Sequence, residues 1–154
     1  MRTQHTDPPD DARRQDSLLE ELRRRASKDA LSGLLNRAAM EYSIKERLNA
    51  MAPEESCALF IVDLDNFKQV NDTYGHDCGD QLLNGFAERL QSALSTAGTL
   101  IRLGGDEFIA ILYGVSERCI AGERFRRLLE AIGSEHYHLE GIDLKPAVSM
   151  GLAL

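Results

Sequence analysis

The sequence predicts an α+β fold in a single domain, with a central, mostly antiparallel sheet flanked by helices. Three observations predict it. Residues 57–62, CALFIV, are nearly all apolar and read as a central strand buried on both faces. Two apolar runs, 99–103 and 108–113, are separated by Gly104 and Gly105. Paired glycines reach φ > 0 without steric cost and so close a hairpin. Between and beyond these strands, Leu82, Leu83, Phe86, Leu90 and Leu94 recur at helical spacing. With 154 residues, 43% of them hydrophobic, the chain can bury one sizeable core.

Residues 1–16 are polar, with Pro8-Pro9 before Asp10-Asp11, and are expected to be disordered. Ser17-Leu18-Leu19-Glu20 is a capping-box pattern that opens a helix over 17–28. Its narrow stripe of Leu19, Leu22 and Ala26, with Arg23, Arg24 and Arg25 toward the C-terminal end, suggests a stalk or signalling helix. The domain proper then covers 29–154. It begins with a loop, DALSGLLNR, pivoting at Gly33, with Asn36 as cap of the next helix. That helix is predicted to run to Met51, with Ala39, Tyr42, Ile44 and Leu48 among its apolar positions, and Pro53 ends it. After the central strand come Asp63-Leu64-Asp65, a short helix over 66–74 broken at Gly75, and a longer helix to about Ser95. The hairpin follows, then a helix over 116–132 ended by Gly133, and two strands over 135–139 and 144–154.

The net charge of −7 argues against binding to a nucleic acid polymer. No apolar run reaches the length of a membrane span, so no direct membrane insertion is expected. The opening MRTQHTDPPDDARRQ lacks the apolar centre of a secretory signal. Cys57, Cys78 and Cys119 are odd in number and lack CxxC spacing, which favours reduced thiols in the cytoplasm and gives no support for zinc. His136 and His138 alternate around Tyr137 as exposed strand residues do.

Two acidic strand ends carry the candidate chemistry. The central strand closes with Asp63 and Asp65, and the hairpin tip holds Asp106 and Glu107. Side chains alternate along a strand, so Asp106 and Glu107 are expected on opposite faces. If the two strands are neighbours, Asp63 and Asp106 converge on one Mg²⁺, which binds a few carboxylates and keeps positions for phosphate oxygens. Bare backbone at Gly104 and Gly105 leaves room for a large ligand, and Asp106 or Glu107 can take a proton from an attacking hydroxyl. Between the acids, Asp80 suits the N1–H and N2–H₂ donors of guanine, Asn71 suits its O6 or N7, and Lys68 suits a phosphate. Taken singly, each also fits a plainer role: solvated strand end, helix-terminal charge, cap or surface lysine.

Together, DALSGLLNR at 29–37, DLDNFKQVNDTYGHDCGDQLL at 63–83, RLGGDEF at 102–108 and VSMG at 148–151 resemble the GGDEF family of bacterial diguanylate cyclases. The resemblance implies a nucleotidyl-cyclase or polymerase-palm-like fold and condensation of two GTP into cyclic di-GMP with release of pyrophosphate. It implies Asp63, Asp106 and the Leu64 carbonyl as ligands of Mg²⁺, with Mn²⁺ able to replace it, and Asp106 with Glu107 in activating the 3′-hydroxyl. Asn71 and Asp80 match guanine readers, with His76 close by. Phe67 and Lys68 match positions at the phosphates, and Leu83 one that packs on the base. Each domain holds one GTP, so catalysis implies a homodimer, with a sensor or regulator as a further partner. The alternative is an inactive GTP-binding regulatory module.

The chain departs from the family pattern in three places. Ser32 stands where threonine is usual. Ser95 and Gly98 occupy the positions of an RxxD product-inhibition motif, so that inhibitory site is expected to be absent. The chain stops at Leu154, before a helix and strand that family members carry, so the domain is expected to be incomplete at its C-terminus and to leave apolar sheet surface exposed.

Overall fold

The computed structural model describes residues 18, 26–53, 55–94, 98–115, 118–133 and 136–153. The expected stalk helix at 17–28 falls mostly outside them; Leu18 and Ala26, at its two ends, are helical. The described strands are β1 (Leu35–Asn36), β2 (Ser56–Leu64), β3 (Gly98–Gly104), β4 (Glu107–Val115), β5 (Tyr137–Leu139), β6 (Ile142–Leu144) and β7 (Val148–Ala153). The helices are α1 (Arg37–Asn49), α2 (Phe67–Tyr74), α3 (His76–Leu94) and α4 (Arg118–Gly133).

Five strands form one sheet in the order β1-β3-β4-β2-β7, and β5 pairs with β6 separately. Only β1–β3 is parallel. The expected mostly antiparallel α+β sheet is therefore what forms. Alternation along β2 and β4 sends Phe60, Val62, Leu64, Phe108, Ala110 and Leu112 into the main core. There Leu82, Phe86 and Leu90 of α3 and Leu128 and Ile132 of α4 cover them. The rings of Phe86 and Phe108 lie 5.3 Å apart in a tilted pair, a geometry that aromatic quadrupoles favour.

The opposite face is thinner. Ile101, Ile109 and Ile111 are buried there with Met40 and Ile44 of α1. That cover leaves Ile61 of β2 51% exposed, and on the main-core face Leu152 of β7, opposite Phe60, is 40% exposed. The expected burial of 57–62 on both faces thus fails at Ile61, while the expected exposed apolar surface is present. α1 ends at Asn49, before Pro53, and it turns Tyr42 and Leu48 outward rather than inward.

Two short elements escaped the sequence patterns. β1 is two residues long, too short to show a period. The 135–154 region holds a small hairpin turning through Glu140 (φ 44°) and Gly141 (φ 88°). Tyr137 fixes that hairpin to α3, with the Arg89 guanidinium 3.7 Å above its ring centre. His136 and His138 are exposed, as expected, and each sets Nδ1 against one oxygen of Asp143.

One buried cation joins the start of the domain to the β3–β4 hairpin. Arg102 is only 8% exposed although it carries a full charge. Its Nη1 donates to Asp29 Oδ1 at 2.8 Å, while Nε and Nη2 donate to the Gly105 carbonyl at 3.0 and 2.7 Å. The same Asp29 oxygen accepts from the Ser32 amide at 2.8 Å and the Ser32 hydroxyl at 2.7 Å. Asn36 completes the joint as α1's cap. Its Oδ1 accepts from the Ala39 amide, and its Nδ2 donates to the Ala26 and Lys28 carbonyls.

Burial pushes the Asp29 carboxyl up, but the Ser32 amide, the Ser32 hydroxyl and Arg102 outweigh it and leave it below its ordinary 3.8. A carboxyl held low stabilises the fold above the ordinary value, and that contribution is lost as pH falls through the folded value. Arg102→Leu is expected to cost about 2–3 kcal/mol, because it strands a half-buried carboxylate and a turn carbonyl. Thermal unfolding at pH 7 should show a Tm lower by roughly 5–10 °C. Between pH 5 and pH 3 the wild type should lose stability more steeply than Asp29→Asn.

Candidate active site

The β2–β4 register places Asp63 directly opposite Glu107, with Val62 opposite Phe108. One step further, the Leu64 amide donates to the Asp106 carbonyl at 3.4 Å. Both acidic strand ends therefore meet at one edge of the sheet. The turn between β3 and β4 runs through Gly104 (φ 144°) and Gly105 (φ 55°), values that an L side chain rarely adopts. A Cβ on either glycine would meet nothing within 4 Å, so the backbone there faces open space. Asp106 lies in the turn itself rather than on the strand. Strand alternation therefore does not separate it from Glu107, contrary to expectation.

Asp63 registers this crowding. Burial raises its carboxyl, and the charges of Asp106, Glu107 and Asp65 raise it further. Asp65 is held on the β7 side. Its amide donates to the Ala147 carbonyl at 2.9 Å, and its carboxylate accepts from the Ser149 hydroxyl at 2.7 Å. Among the described residues no three His, Cys, Asp or Glu side chains form a ready metal cage. Two carboxylates and a carbonyl on an open edge are instead a donor set for Mg²⁺, which keeps several positions for water or phosphate.

A second group forms where α2 meets α3. Asn66 stands in the left-handed region (φ 59°) and releases the chain from β2 into α2, bringing Phe67 and the exposed Lys68 close behind Asp63 in sequence. Gly75 (φ 88°) breaks the helix, and its amide donates to the Asn71 carbonyl at 2.9 Å. Asn71 reaches across to Gly79, whose neighbour in the chain is the exposed Asp80. His76 is exposed at the first position of α3. Leu83 is 2% exposed and belongs to the core, which leaves it no open face to pack on a base. Phe67 is partly buried against the same core.

Arg102, Asp29, Ser149 and Gly79 fall within the quoted motifs, but the sequence patterns gave none of them a role in the site. Arg102 and Ser149 left a usable signal, since a cation or hydroxyl inside an apolar strand needs a partner. Ser95 falls outside the described residues. At Gly98, a Cβ would lie 2.4 Å from the Ile111 carbonyl, so β3 has no room for any side chain there without backbone movement.

Fold and site thus define an α+β domain that gathers carboxylates beside an open glycine turn. The profile of the family described as "Diguanylate cyclase, GGDEF domain" matches residues 26–154, and the chain belongs to this family. It is 41% identical over 96 residues to the diguanylate cyclase DgcS of Shewanella oneidensis, covering 62% of this chain and 32% of that protein. A sensory box/GGDEF family protein of Caulobacter crescentus superposes with a TM-score of 0.73 at 37% identity, covering 82% of each chain. The diguanylate cyclase SiaD of Pseudomonas aeruginosa, solved with its activator SiaC, gives a TM-score of 0.76 at 29% identity over 92% of this chain and 54% of that one. The chain spans about a third or less of the length of the curated relatives it matches. Among the described residues no helix is long and apolar enough to cross a membrane.

A carboxyl raised by its neighbours carries the opposite sign to Asp29. Its charged form is disfavoured in the fold, and stability rises as pH falls through its folded value. Asp63→Asn is therefore expected to raise the metal-free Tm at pH 7 by about 1–3 °C. Scanning calorimetry in EDTA checks this; an unchanged or lower Tm counts against a strained acidic cluster.

Proposed function

We propose that the chain is the catalytic domain of a diguanylate cyclase, condensing two GTP into cyclic di-GMP with release of two pyrophosphates. The observation that supports this most is the β2–β4 register, which sets Asp63 against Glu107 and ties Leu64 to Asp106 beside a bare glycine turn. Asp63, Asp106 and the Leu64 carbonyl would hold Mg²⁺. When bound, the metal would neutralise the triphosphate and the charge that develops at phosphorus.

The chain's own groups supply the rest. Asn71 and Asp80 select guanine by its O6 or N7 and its N1–H and N2–H₂ edge. Lys68 reaches for phosphate as a mobile cation. Glu107, exposed at the start of β4, or Asp106 takes the proton of the 3′-hydroxyl as that oxygen attacks the α-phosphorus and pyrophosphate leaves. Each chain carries one such edge, so both attacks require two chains face to face. An activator or sensor that sets this pairing is a natural partner; SiaD is known in complex with an activator, SiaC. With Cys57 and Cys78 as free thiols, we place the protein in the cytoplasm.

Incubation with GTP and Mg²⁺, followed by chromatographic separation of the nucleotides, is expected to yield cyclic di-GMP. The specific rate should rise with protein concentration, as a dimer requires. Glu107→Gln and Asp106→Asn should each lower it by about 100-fold or more. GTP bound but never converted, in the presence of Mg²⁺ and of Mn²⁺, would sink the assignment.

Product should inhibit weakly through the Ser95–Gly98 position, because β3 leaves no space for an aspartate at Gly98. Micromolar inhibition by cyclic di-GMP that is relieved by substitutions near Ser95 would contradict this.

A further inference from the structure

Gly79 sits in the first turn of α3, and its amide donates to the Gly75 carbonyl at 3.2 Å. Its φ is not among the positive values, so the backbone itself does not call for glycine. Alanine would be the better helix former there. The reason for glycine lies across the α2–α3 junction. A Cβ at residue 79 would lie 1.8 Å from Asn71 Oδ1, 2.9 Å from Asn71 Cγ and 3.2 Å from Phe67 Cζ. The bare Cα of Gly79 is thus the seat on which the Asn71 amide rests.

We infer that Gly79 is a positioning residue for base recognition, acting by leaving this seat empty so that the Asn71 amide stands beside Asp80. The inference rests on Asn71 being a guanine reader. The clash is with the far end of a side chain that can rotate, whereas the Asn71 backbone is tied by its carbonyl to Gly75. A methyl group at residue 79 therefore expels the amide without dismantling the helices. The Phe67 contact, at 3.2 Å, is tighter than an ordinary separation, and the partly buried ring end must give by a few tenths of an ångström. Gly79 would then set affinity for the base while touching none of the reacting atoms.

The test uses 3′-deoxy-GTP, which lacks the attacking hydroxyl, titrated calorimetrically in Mg²⁺ into the wild type, Gly79→Ala, Asn71→Ala and the double variant. Gly79→Ala is expected to bind about tenfold or more weakly, the cost of an unmade hydrogen bond to the base. Its Tm should match or exceed the wild type's. The double variant should bind no more weakly than Asn71→Ala alone, because the glycine acts only through the amide. In turnover, KM for GTP should rise more than kcat falls. Wild-type affinity in Gly79→Ala beside a weakened Asn71→Ala overturns the inference alone, as does an additive double variant. A large fall in Tm cured by adding Asn71→Ala also overturns it, since the amide then cannot move aside. Wild-type affinity in Asn71→Ala overturns the base-reader assignment itself, and the inference with it.

Discussion

A guanidinium buried between three strands is the constraint on which the rest of this domain depends. Arg102 lies on β3, with Asn36 of β1 on one side and Phe108 of β4 on the other. A cation at 8% exposure survives only if its donors are satisfied. Here they are spent on the Asp29 carboxylate and twice on the Gly105 carbonyl. The first contact fastens the entry segment to the sheet, and the second fixes the glycine turn. The position of Asp106 follows from that turn, since Gly105 is its neighbour. An apolar residue at 102 could pack, but it could not hold a carbonyl or draw Asp29 inward. The arrangement couples the segment at Asp29 to the glycine turn through one ion pair and a set of hydrogen bonds.

The sequence made the larger elements legible because their patterns are long. The leucines and Phe86 of α3 keep helical spacing from Leu82 to Leu94, and all five expected core positions are buried. The hairpin was legible because two glycines in sequence have few other uses. What stayed hidden depended on neighbours. Nothing within CALFIV says that Ile61 faces a side of the sheet that α1 leaves bare, or that Tyr42 and Leu48 point away from it. β1 is too short to show alternation, and its place comes from pairing with Ile101 and Arg102.

The candidate site divides in the same way. Its acids, amide and lysine could be picked out by residue type, because each has a chemical use that few others share. The convergence of the acids could not be read, since it needs β2 and β4 to be neighbours in one register. Leu83 shows the reverse error: a residue suited by type to a base is enclosed in the core by its place on α3. The supporting residues were missed because support is a pairwise property. Ser149 matters through Asp65, and Asp29 through Arg102.

Asp29 and Asp63 show how one fold treats two carboxylates differently. The oxygen of Asp29 accepts from three donors, so its charge is answered within the chain. Burial raises Asp63, and the charges of Asp106, Glu107 and Asp65 raise it further. A structural carboxylate has no reason to remain in that state, because an amide or an apolar residue would relieve the repulsion. Natural domains keep such frustration where a ligand resolves it. The crowded charge also lies beside open backbone at Gly104 and Gly105. Rigid packing behind β2 and β4 keeps the acids from drifting apart to ease their repulsion. The core and the clamp at Arg102 therefore act together: they hold a cluster of like charge in place at the end of β2 and β4.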